Sequence, residues 1–100
     1  MRLAEVANLP RVDNIERRIA EIEGFEVRIL RNGANAYGNL ELPVHYRRYE
    51  KRAADNFTVA EWKDVRFRPI FAGFDVQVLN GAGKAVPGQT TLRTVRQSYI

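Results

Sequence analysis

Two stretches decide how this chain is read: "GFEVRILRNGANA" at residues 24–36 and "GFDVQVLNGAGKA" at residues 73–85. In each, apolar residues alternate with polar ones, Phe25, Val27 and Ile29 in the first and Phe74, Val76 and Val78 in the second. A period of two with Val, Ile and Phe on one side is the pattern of a strand with one buried face. Each strand ends in Asn-Gly, Asn32-Gly33 and Asn80-Gly81, residues that tolerate the positive φ of tight hairpin turns.

Working outward, each phrase follows a helix signal. In "VDNIERRIAEIEG" (12–24), Asp13 is placed to cap, Glu16 stands three residues on, and Ile15, Ile19 and Ile22 share a face. The expected helix covers residues 14–23 and stops at Gly24. In "FTVAEW" (57–62), Thr58 and Glu61 have the spacing of a capping box, and Phe57 and Trp62 that of a hydrophobic staple. Val59, Trp62 and Val65 give the expected stripe, and Pro69 ends the helix near residue 67. After each turn a returning strand is expected. The first is "LELPVHY" (40–46), an edge strand because Pro43 lacks an amide donor; the second is "TTLRTVR" (90–96).

The predicted fold is therefore α+β. Two helix-plus-hairpin (αββ) units, 12–52 and 57–100, form a four-stranded, mainly antiparallel sheet with two short helices on one face. The units match at a spacing of 49 residues from Gly24 and Gly73 onward, which reads as internal duplication within one domain over 1–100. The competing reading is that helix-to-strand junctions commonly look like this.

Composition narrows function mainly by exclusion. There is no cysteine, hence no disulfide or thiolate metal site, and the single histidine, His45, gives no ligand spacing. Neither cofactor nor metal is expected. No acid and base pair stands out, and "NGAGKAVPG" (80–88) departs from a phosphate loop because Lys84 is followed by Ala85 and a Pro-Gly pair. His45 lies opposite the apolar set of its strand and reads as an exposed strand residue. No catalytic role is assigned. The start, "MRLAEVANLP", has no apolar leader core, and no run is long enough to span a membrane. A cytoplasmic protein with no membrane partner is the expectation.

Charge offers the one positive lead. The net charge is +4, and thirteen of sixteen basic residues are arginine. In "HYRRYEKR" (45–52) the strand alternation ends near Tyr46, leaving Arg47, Arg48, Tyr49, Lys51 and Arg52 on the connection between the units. Connections on a rigid scaffold are where binding residues concentrate. Phe71, in the irregular "RPIFA" (68–72), is added as an exposed aromatic anchor. The expected function is a small non-enzymatic module, accessory or inhibitory, that occupies a partner protein's surface. The alternative is nucleic-acid binding, with the cations on phosphates and the tyrosines stacked on bases. Open sheet edges further suggest a homodimer.

Overall fold

The computed structural model describes residues 9–100; the opening residues read above as free of a leader lie outside them. Helix α1 covers Val12–Glu23, strands β1 and β2 cover Val27–Arg31 and Ala34–Asn35, and helix α2 covers Val59–Trp62. A π-helical turn, Lys63–Phe67, extends α2; strand β3 (Asp75–Val78) and helix α3 (Leu92–Gln97) follow.

The two opening stretches pair with each other. β1 and β3 run antiparallel, Val27 opposite Val78, Arg28 opposite Gln77 and Ile29 opposite Val76. Arg28 and Gln77 are equivalent positions of the two phrases, so each phrase meets the other turned about a shared midpoint. Val27, Ile29, Val76 and Val78 face inward, and α1 lies against β1 while the π turn lies against β3. One apolar cluster draws on both halves of the chain, from Val12 to Val95.

The four-stranded sheet is corrected to three strands in the order β2-β1-β3. Neither expected returning strand forms. The chain turns back at once after each Asn-Gly: β2 is two residues long, and the equivalent point after β3 is a single bridge, Leu79 to Ala85. β2 ends at Asn35; Ala36 N–H still donates to the Ile29 carbonyl at 2.9 Å, but Ile29 N–H donates to Glu16 Oε2 of α1 at 2.8 Å. Burial raises the Glu16 pKa, opposed by that amide and by Arg28. The stretch 40–46 then serves the helix rather than a sheet. Leu40 and Gly38 carbonyls accept from Val12 N–H and Asp13 N–H, closing the N-terminus of α1 in place of the expected Asp13 cap. The other stretch, 90–96, is α3: Thr91 Oγ1 accepts from Thr94 N–H, and Leu92, Val95 and Arg96 fall on one buried face. The layout is thus three helices, not two, among the described residues.

The second expected helix is observed with its capping box intact, Glu61 N–H to Thr58 Oγ1 at 3.1 Å and Thr58 N–H to Glu61 Oε1 at 2.9 Å. Such a cap contributes about 1 kcal/mol. Its interior differs. Trp62 and Phe67 are both buried at a spacing of five, which a π turn accommodates and a straight α-helix does not. Val65, expected inside, is 51% exposed in consequence. Trp62 is the centre of an aromatic core, edge-on to Phe25 at 5.2 Å and 6.1 Å from Phe67.

Candidate functional site

The residues singled out for binding follow directly from a buried carboxylate that no sequence motif flagged. Glu23, the last residue of α1, is fully buried. The helix presents Val12, Ile15 and Ile19 to the core, and Glu23 occupies the next position of that stripe, four residues beyond Ile19. A buried carboxylate is tolerable only if it is paired and hydrogen-bonded. Here Glu23 Oε2 accepts from the Tyr46 hydroxyl at 2.6 Å and from Arg66 Nη1 at 2.7 Å. Its Oε1 accepts from Ala53 N–H at 2.8 Å and, at 3.4 Å, from Arg96 Nη2. Arg96 also donates through Nε to the Glu23 carbonyl and through Nη1 to Asp55 Oδ1, both at 2.7 Å.

These contacts join elements far apart in sequence. The π turn supplies Arg66, α3 supplies Arg96, and the connection after residue 45 supplies Tyr46, Ala53 and Asp55. Burial pushes the Tyr46 hydroxyl pKa far up, and the neighbouring Glu23 adds to it, so the phenol stays protonated as a donor. Burial alone would disfavour the Arg66 charge, but Glu23 outweighs it and holds the guanidinium above its ordinary pKa. With both carboxylate oxygens occupied and no exposed surface, Glu23 is built to hold chain segments together rather than to exchange protons with a substrate.

The connection itself is fastened at short intervals. Beyond Tyr46 and Ala53, the Lys51 carbonyl accepts from Arg66 Nη1 at 2.7 Å, and the Arg66 guanidinium lies 4.0 Å from the centre of the Tyr49 ring. Between these points Arg47, Arg48, Lys51 and Arg52 are exposed. Two of them reach clefts. Arg47 lines a cleft of about 670 Å³ with His45, Arg11 and Glu41. Arg52 lines one of about 430 Å³ with Arg93, Arg96 and Asp55. His45 is half-buried rather than exposed, its Nδ1 accepting from Tyr46 N–H at 2.8 Å. Burial, then Arg47 and Arg18, lower its pKa, so it is neutral at pH 7.

Phe71 is corrected. It is 2% exposed and packs in the aromatic core, 4.8 Å from Phe67 and stacked on Tyr46 at 6.5 Å, so it is no surface anchor. The irregular segment around it exists because the π turn and the following turns carry the chain back inward. In the glycine-rich loop at 80–88 the amides of the turn itself are already committed. Ala82 and Lys84 N–H both donate to Asn80 Oδ1, Gly83 N–H to the Asn80 carbonyl and Gly81 N–H to Ser98 Oγ. Among the described residues no group of three His, Cys, Asp or Glu side chains is placed to hold a metal ion. None of the helices described is long and apolar enough to cross a membrane.

No family model, curated protein or solved structure matches the chain.

Proposed function

We propose that this protein is a non-catalytic module that docks an acidic partner protein on the connection spanning residues 47–52. One observation carries the reading: a connection without regular secondary structure is clamped by Tyr46, Tyr49, Lys51 and Ala53 while its cationic side chains are left outside. A display already fixed in one conformation loses less entropy on binding than a free loop.

The choice of protein over nucleic acid follows from the tyrosines. Tyr46 is fully buried and hydrogen-bonded to Glu23, and Tyr49 is half-buried beneath Arg66, so neither ring is offered to a base. Self-association is not part of the reading. The outer strands of the sheet are two and four residues long, and short edges are poor templates for a second copy.

The test is a binding experiment with a partner captured from the native host. Replacing Arg47, Arg48 and Lys51 together with alanine is expected to leave the fold intact, since exposed substitutions shift stability by under about 0.5 kcal/mol each. Association with the partner is expected to slow by about tenfold or more at low ionic strength, and the difference to shrink as salt rises. Unchanged affinity at low salt would reduce the connection to a solvated run of charge.

A further inference from the structure

The cleft between the end of the connection and α3 holds more positive charge than the buried network uses. Arg96 forms its floor and is consumed by Glu23 and Asp55. Arg52, from the connection, and Arg93, from α3, line the same cleft, and among the described residues neither forms an ion pair.

The fold fixes the approach of the Arg52 guanidinium and the backbone of Arg93. The guanidinium of Arg52 lies so close to Gly24 that a Cβ there would come within 2.9 Å of its Nη2. Gly24 also needs its φ of +80° to end α1, so one glycine both turns the chain and admits the arginine. The Arg93 backbone N–H donates to the Asp55 carbonyl at 3.0 Å, fastening the first turn of α3 to the connection. Asp55, the one acidic side chain lining the cleft, is already held at Oδ1 by Arg96.

We propose that this cleft is a binding site for a phosphate group, received between the guanidiniums of Arg52 and Arg93. Two forked donors without a carboxylate of their own match a dianion with several oxygens better than a carboxylate, which offers only two. The cleft, at about 430 Å³, has room for the molecule that carries the phosphate. A phosphorylated side chain of a partner and a free phosphate compound share this chemistry. The site depends on Arg93, which lies outside the connection substituted in the docking experiment, so each proposal can fail without the other.

The experiment follows the arginine Nε–H signals by NMR while inorganic phosphate is titrated into the labelled protein at constant ionic strength. Saturable shifts at Arg52, Arg93 and Arg96 are expected. In Arg93→Gln, whose side chain is exposed and leaves the fold untouched, affinity is expected to fall by about tenfold or more with the loss of a charge-assisted donor. Phosphate also stabilises proteins generally by exclusion from their surface, but that effect neither saturates nor singles out three residues. A linear response, or a dissociation constant in either Arg93→Gln or Arg52→Gln that is unchanged from that of the unsubstituted protein, overturns the proposal. A phosphoserine peptide that binds more tightly than inorganic phosphate would assign the site to a partner's side chain, and equal binding to a free phosphate compound.

Discussion

Glu23→Ala is expected to lower the stability of the folded protein by about 3–5 kcal/mol, enough to unfold a domain of ordinary stability. The carboxylate has no exposed surface, and Arg66 and Arg96 side chains are only 14% and 8% exposed. Removing it strands the Tyr46 hydroxyl and the Ala53 amide in the buried core and leaves the mostly buried Arg66 guanidinium without its counter-charge. Arg96 suffers least, because Asp55 and the Glu23 carbonyl still accept from it. Arg66 keeps the Lys51 carbonyl and the face of the Tyr49 ring but no counter-charge. The cost is therefore one of uncompensated charge, and it should be partly relieved when Arg66→Met is added to Glu23→Leu, since apolar groups of similar volume often replace a buried ion pair without loss. Urea unfolding followed by circular dichroism measures both. A loss of under about 1 kcal/mol in Glu23→Ala would mean that the network is solvated.

Trp62→Ala is expected to cost a similar amount, about 3–5 kcal/mol, for a different reason. Trp62 is fully buried and touches the aromatic set from three sides, Phe25, Tyr46 and Phe67. Its deletion leaves a cavity between α2 and the sheet that the surrounding rings cannot fill. Trp62→Phe should be much milder. The indole Nε1–H has no hydrogen-bond partner among the described residues, so the substitution removes an unpaired donor along with part of the ring. The same denaturation experiment compares the two. If Trp62→Phe were as damaging as Trp62→Ala, the indole nitrogen would have to be making a bond of real value.

Local signals in the sequence translated into structure where the chain needs only its neighbours. Gly24 ends α1, Thr58 and Glu61 start α2, and Asn32-Gly33 takes the positive φ of a hairpin turn, whereas in the second phrase the positive φ falls on Gly83 and not on Asn80-Gly81. The failures are places where a distant segment decides. The alternation Leu40, Leu42, Val44, Tyr46 has strand period, yet Val44 is 40% exposed and only Glu41 makes a bridge, to Arg11. That segment is drawn away because α1 lacks a capping side chain and takes the carbonyls of Gly38 and Leu40 instead. For residues 90–96 the correct pattern was present but competed with β-branched composition: Thr91 before Leu92 and Val95 is also a capped helical turn.

The binding residues show the same division. The exposure of Arg47, Arg48, Lys51 and Arg52 was legible from the end of the apolar alternation at Tyr46. What holds them was not, because Arg66 and Arg96 approach Glu23 from 43 and 73 residues away. A glutamate in the apolar stripe of α1 was the available signal, since a charge at such a position requires partners. Phe71 departs from expectation because an irregular segment can still be buried, as this one is against Phe67 and Tyr46.

The central claim is that the connection is a fixed part of the body. The Ala53 amide tests it most directly, being a loop N–H whose only acceptor is the buried Glu23 carboxylate. Native-state hydrogen exchange is expected to show this amide opening only with global unfolding, alongside the amides of β1 and β3. Exchange at the rate of an unstructured loop, while those strand amides remain protected, would show the connection moving freely over the surface and would contradict the claim.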